Sequence, residues 1–388
     1  MPWKEHTVDR LRWEFIELVT QGKLTMSEAC RRFEISRACG YKWLRRYREE
    51  GVAGLVDRSR RPHRSPERVS AEVEALLVAT RRQYPKWGAR KLRRILENQG
   101  YSGLPAPSTI TGMLKRHGLV DPEESAKHKA FIRFEHERPN DLWQMDFKGH
   151  VPCPEGRCHP LAVLDDHSRF NLVLDACLDE TLATVQRSLT QAFERHGLPW
   201  RMLMDNGPPW ATRHGGLTKL CVWLMRLHVK ISHGRPYHPQ TQGKLERFNR
   251  TVGLELLGDG VGWPNPQCQR RFDDWRHDYN WLRPHDALDM DTPGQHYEPS
   301  ARSLPAQWPP IEYADDAIVR KVQDNGAISY NGALYPISKA LHGYPVALRP
   351  DASQDGCMKV YFCRQRVALI DVRQQCVLST FTARPSCN

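Results

Sequence analysis

LWQMDFKGH, residues 142–150, reads as a strand with its chemistry on one side. Side chains alternate along a strand, so Trp143, Met145 and Phe147 share an apolar face while Gln144, Asp146 and Lys148 share a polar one. Asp146 therefore stands on a polar face in mid-strand, where a single carboxylate taken alone reads as solvated or capping. Two further acids have comparable settings. Asp205, in RMLMDNGPPW (201–210), closes an apolar run and is followed by Asn206 and Gly207, so it stands where a buried strand gives way to a loop. Glu246, in HPQTQGKLERFNR (238–250), lies on the flank of a helical pattern whose apolar stripe is Leu245, Phe248, Val252 and Leu256. Strand, strand end and helix flank can converge on one point. Three carboxylates without a thiolate or imidazole cage suit magnesium, a hard ion held by a few oxygens plus substrate phosphate. Two such ions activate the attacking oxygen and stabilise the leaving oxygen of an in-line displacement at phosphorus.

Around these acids the pattern predicts strands near 142–151, 160–166 and 170–177, a helix near 180–196 and a strand ending at Asp205. A helix near 216–228, a short strand near 229–232 and the Glu246 helix follow. Strands first and helices later describe an α/β fold with a mixed sheet. Asp165 and Asp166 are adjacent, so at most one of them faces the same side as Asp146. GRPYHPQTQGK reads as a loop beside a ligand, and His233 and His238 as loop histidines rather than bases. CPEGRCHP (153–160) reads as a hairpin loop rather than a zinc site, since Cys153, Cys158 and His159 are only part of a ligand set.

The 388 residues exceed one ordinary core. Charge is uneven: residues 1–120 hold 25 Lys and Arg against 13 Asp and Glu, and residues 121–388 hold 32 of each. The whole +12 excess therefore lies in the first third, as in a phosphate-binding module. Residues 9–50 give three helical pieces in a helix-turn-helix pattern, the second opened by a Thr25 to Glu28 capping box. In the third, Ser36, Arg37, Lys42, Arg45 and Arg46 are candidates for a DNA groove and its phosphates, while Trp43, Leu44 and Tyr47 include core positions. A basic tether with Arg58, Arg60, Arg61 and Arg64 leads to a second helical unit whose last helix has Ser108 or Thr109 as its expected cap. The expected domains are a helix-turn-helix domain over 1–55, the basic linker 56–68, a second helical DNA-binding domain over 69–120 and a connector over 121–139. A catalytic core over 140–300 and a small all-β barrel or sandwich over 311–383 complete the chain. Eleven scattered cysteines read as reduced thiols, and no apolar run reaches the length of a membrane span.

In order along the chain, LWQMDF, VLDDHSRF, MDNGPP, HPQTQGKLERFNR and YNWLRPH resemble the core of DDE transposases and retroviral-type integrases. The likeness is greatest to bacterial insertion-sequence transposases with a fused N-terminal helix-turn-helix region, and it covers about residues 1–300. It implies an RNase H-like core, two magnesium or manganese ions per site, and a catalytic, metal-binding triad at Asp146, Asp205 and Glu246. It further implies cleavage of double-stranded DNA at transposon ends and joining of the freed 3′-hydroxyl to target DNA. An assembly of at least two copies on DNA is expected, and the charged start at Met1 to Arg10 with no apolar span points to a cytoplasmic protein, nucleoid-associated if bacterial. Lys244, Arg247 and Arg250, around the third acid, are the expected DNA contacts of the core. Two departures stand out: the 40 residues 206–245 exceed the family's usual spacing, with an insertion expected around ATRHGG, and Gly253 stands where a Lys or Arg is usual. Arg250, about 40° from Glu246 around the helix, is the expected substitute for that missing cation. Two other readings fit parts of the chain: a DNA-binding regulator or inactive relic, and a stand-alone RNase H-like nuclease.

Overall fold

In the computed structural model, the described residues are 8–58, 69–120 and 136–381, apart from 155, 208, 213–215, 235–242 and 259–264. The chain divides into two compact units, residues 1–68 and 69–388.

The first unit holds α1 (Val8–Thr20), α2 (Met26–Arg32) and α3 (Arg37–Glu50). The Thr25–Glu28 capping box is formed, and the Ser36 side chain accepts the Cys39 N–H to start α3. These two caps fix the turn between the second and third helices, because each satisfies helix N–H groups that have no intrahelical partner. Phe15, Ile16, Ala29, Cys30, Trp43, Leu44 and Leu55 form the small core. Arg12 lies 4.0 Å over the Trp43 ring and donates to Leu55 O, tying the first helix to the end of the unit.

The second unit begins with another three-helix bundle: α4 (Ala71–Gln83), α5 (Ala89–Asn98) and α6 (Pro107–Arg116) around Leu77, Trp87, Leu92, Ile95 and Ile110. Neither Ser108 nor Thr109 caps α6. Its N-cap is Ala106 with Pro107 at the first helical position, where the fixed φ of proline starts the helix and its missing N–H costs nothing.

The α/β core follows. Its strands are β1 (Trp143–Phe147), β2 (Val151–Cys153), β3 (Gly156–Asp165), β4 (Asn171–Cys177), β5 (Arg201–Met204) and β6 (Lys230–His233). Its helices are α7 (Leu182–His196), α8 (Lys219–Arg226), α9 (Gly243–Val252) and α10 (Asn265–Trp281). β1 pairs antiparallel with β3 and parallel with β5, and β5 is parallel to β6, so the sheet is mixed. One face buries Trp143, Met145 and Phe147 with Val185, Leu189 and Phe193 of α7 and Leu220 and Leu224 of α8. The other buries Ala162, Leu164 and Leu174 under Leu245, Phe248 and Val252 of α9 and Phe272 of α10. The CPEGRCHP segment joins β2 to β3 as a hairpin, as its Pro and Gly content predicts.

The C-terminal strands β7 (Ile318–Lys321), β10 (Pro345–Pro350), β11 (Cys357–Phe362), β12 (Gln365–Asp371) and β13 (Cys376–Thr380) make an antiparallel sheet. β8 (Ala327–Tyr330) and β9 (Ala333–Pro336) form a separate hairpin. This domain covers an edge of the core: the Gln365 amide both donates to Ile231 O and accepts from Ile231 N on β6. An edge strand otherwise presents unpaired peptide groups, and one side chain here occupies both.

Candidate active site

Asp146 sits in β1 opposite Ala162 of β3, partly buried, with its neighbours Met145 and Phe147 turned into the core. Asp205 follows β5 directly and is exposed; its carbonyl is 2.9 Å from His233 Nδ1, and Asn206 Nδ2 donates to Gly234 O, which together hold the strand end. Since β5 is the parallel neighbour of β1, the two carboxylates leave the sheet from adjacent strands. Glu246 is exposed on α9, one residue beyond the buried Leu245.

A buried polar network holds α9 against β1. Gln144, on the same strand face as Asp146, donates to Asp166 Oδ1 at 2.7 Å and accepts the Leu245 N–H at 3.3 Å. Asp166 also accepts the His136 N–H at 2.9 Å and pairs with the Lys244 ammonium. Asp166 therefore braces the start of the helix that carries Glu246. Its neighbour Asp165 turns to the Asn140 N–H, the Ser168 N–H and the Ser168 hydroxyl, fixing the β3–β4 turn. Burial raises the Asp165 carboxyl above its ordinary range, and these donors oppose the shift. Both adjacent aspartates are thus taken up by donors of the protein itself.

The electrostatics tie the three candidate acids together. Asp146 is pushed up to about 6, first by burial and then by the negative charges of Asp205, Glu180 and Glu246. Glu180, between β4 and α7, lies 2.8 Å from His159 Nδ1 and adds a fourth carboxylate to this field. Sequence reasoning missed it, and only its place beside a strand end could have signalled it. Among the described residues no three His, Cys, Asp or Glu side chains stand close enough together to hold an ion by themselves. On chemistry the donors fit magnesium or manganese: all are carboxylate oxygens, and the mutual repulsion at Asp146 is what a cation neutralises.

The expected DNA contacts separate into groups. Arg37 and Arg45 on α3 are exposed, with Tyr41 between them 59% exposed, on one stripe of the helix. Lys42 and Arg46 lie 4.9 Å and 5.0 Å over the Trp43 ring, and Ser36 is a helix cap. Arg58 pairs with Glu50. Arg60, Arg61, Arg64 and His238 lie outside the described residues, as do 235–242 of the loop before Glu246 and part of ATRHGG. In the core, Lys244 is a correction: its ammonium is taken by Asp166, with 15% of the side chain exposed, because it stands on the β1 side of α9. Arg247 and Arg250 are exposed. The expected stripe of α9 also shifts. Leu257 is buried and Leu256 only partly so, because Gly253–Leu257 is a π-turn, closed by Gly258 N–H to Gly253 O, that inserts one residue into the helical repeat.

Several domain models match the chain. A helix-turn-helix domain matches residues 11–63, a homeodomain-like domain 39–114, integrase core domains 136–239 and 227–293, and the C-terminal domain of IS481 family transposases 317–378. An uncharacterized protein of insertion element IS476 from Xanthomonas euvesicatoria is 28% identical over 199 residues, covering 51% of this chain and 50% of that one. The transposase for transposon Tn552 of Staphylococcus aureus is 21% identical over 285 residues, covering 66% and 57%. The chain therefore spans about half the length of these curated relatives. The solved catalytic core domain of HTLV-2 integrase, in complex with magnesium, is 18% identical and covers 42% of this chain and 100% of that one, with a TM-score of 0.32. The chain thus carries matches to helix-turn-helix and homeodomain-like domains ahead of an integrase core domain and to an IS481-type C-terminal domain behind it, and it is similar to proteins of insertion elements.

Proposed function

We propose that this protein binds the terminal repeats of a transposable element, cleaves the DNA there and joins the freed 3′-hydroxyl to target DNA. In this reading Asp146, Asp205 and Glu246 hold two magnesium or manganese ions. The observation that carries it is the placement of Asp146 on β1, Asp205 at the end of the neighbouring strand β5 and Glu246 on the helix held against β1, where the charges of Asp205 and Glu246 reach Asp146 and help to raise its carboxyl. One backbone hydrogen bond from Phe147 opposes the shift, but three neighbouring carboxylates add to it, a setting more common at functional sites than in a purely structural ion pair.

Bound divalent ions supply an activated attacking oxygen and a stabilised leaving oxygen at phosphorus. The chain supplies placement. β1 fixes Asp146 through its ladder to β3, β5 delivers Asp205 beside it, and the Gln144–Asp166–Lys244 network sets the helix carrying Glu246. Arg37, Arg45 and the basic segment of the first unit supply affinity for phosphates and the reading of the ends. At least two copies act together on the paired ends.

Labelled duplexes taken from the DNA on either side of the gene test this reading, incubated with plasmid target with and without magnesium. The expected result is magnesium-dependent cutting followed by joining. Binding without cutting identifies a regulator or relic, and cutting without joining a nuclease.

A further inference from the structure

Gly253 is a helical glycine without a backbone reason to be one. Its φ is not positive, so an alanine fits the conformation and is favoured inside a helix by about 1 kcal/mol. The space at its Cα is taken instead. A Cβ built there stands 3.2 Å from Lys148 Nζ and 3.3 Å from Lys148 Cε, closer than an ordinary contact. The glycine leaves a seat for a lysine from another element.

That lysine is two residues beyond Asp146. Lys148 N–H donates to Pro160 O at 2.9 Å, extending the β1–β3 ladder, so its side chain leaves the sheet on the same face as Asp146. Gly253 stands seven residues after Glu246, two helical turns that return to within about 20° of the same side. The ammonium therefore lies between the strand that carries the first acid and the helix that carries the third. It is partly buried, and among the described residues it makes no side-chain hydrogen bond or ion pair. A half-desolvated cation without a partner is unfavourable unless an anion is to come. The helix also widens into its π-turn from Gly253, a local departure that frequently marks functional sites.

We propose that Lys148 is a substrate-contacting residue that holds a non-bridging phosphate oxygen of the DNA beside the scissile bond. It supplies from β1 the cation that α9 does not carry at position 253. Arg250, exposed farther round the helix, is then an outer contact. This inference rests on the proposed DNA-joining function.

The test uses the full chain with Lys148→Met, Lys148→Ala, and Lys148→Ala combined with Gly253→Lys. A duplex from the DNA flanking the gene, pre-cut at its end, is the probe. Lys148→Met should reduce joining to plasmid on the order of 10- to 100-fold, with kcat falling more than KM rises. It should also make the slope of log affinity against log salt shallower by about one, at unchanged melting temperature. The double variant should recover part of both losses relative to Lys148→Ala, because the lysine re-enters the same space from the helix. Wild-type joining and slope in Lys148→Met overturn the proposal, and so does a double variant no better than Lys148→Ala. If the wild-type chain binds but never joins, the proposed function fails, while the salt slope, read on binding alone, still decides for or against Lys148.

Discussion

The two three-helix modules of the N-terminal third are both basic, with a net +3 over residues 1–55 and +6 over 69–120, and they differ in what that charge touches. In α3, Arg37 and Arg45 are exposed and make no ion pair among the described residues. In α5, Arg90 is 2.9 Å from Asp286, Arg94 is 3.0 Å from Asp291, and Lys91 lies in the field of Arg283, Glu255 and Asp286. The basic stripe of the second bundle is thus turned to the α/β core that follows it in the same unit. A sequence count treats all of these residues as one positive third, yet charge that is paired within the chain is not available to phosphate. On the proposed function the second module braces the core with its remaining surface open, and the first is the principal DNA reader.

The comparison breaks most readily on affinity. Arg37→Ala with Arg45→Ala should weaken binding of the flanking-end duplex by on the order of 100-fold and flatten the salt slope by about two, as measured by fluorescence anisotropy across salt. A slope equal to wild type would remove α3 from the interface.

Lys91 sharpens it on stability. Burial and the Arg283 guanidinium push Lys91 down to about 7, below its ordinary lysine value. Between pH 7 and 10 the unfolded chain then binds more protons at this residue than the folded one, so folded stability gains as pH rises through that window. Below pH 7 the penalty of a buried ammonium is fully present. Lys91→Met should therefore melt several degrees above wild type at pH 6.5, with the gap closing towards pH 10 in calorimetry. A gap constant with pH would mean that the ammonium is solvated and the bundle is not seated on the core.

The smallest effect is expected for Arg90→Ala with Arg94→Ala. Half-exposed pairs contribute about 0–1 kcal/mol each, so the melting temperature should fall by roughly 2–4 °C while the salt slope of DNA binding stays unchanged. A slope shallower by two would place these arginines on DNA and erase the distinction between the modules.

Much of the fold was legible because period-two and period-3.6 patterns survive in the sequence. Trp143, Met145 and Phe147 are buried together as alternation requires, and the Thr25–Glu28 box forms as its spacing requires. The α9 stripe failed after Val252 because a π-turn adds a residue without any sequence marker beyond Gly253. Ser36 was legible as a polar start to α3, and its capping role competes with the groove contact assigned to it. The site's acids stood out by context, whereas Lys244, Glu180 and Lys148 depend on partners far away in sequence. Asp166 is 78 residues from Lys244, and no local pattern encodes that pairing.

Joining by four purified chains, wild type, Asp146→Asn, Asp205→Asn and Glu246→Gln, on a pre-cut flanking duplex with magnesium and plasmid target tests the central claim most directly. Each substitution removes a ligand charge with little change of shape, so all three variants should bind the duplex near wild-type affinity and give no joined product. Joining retained by any one of them contradicts the assignment of that residue to the site.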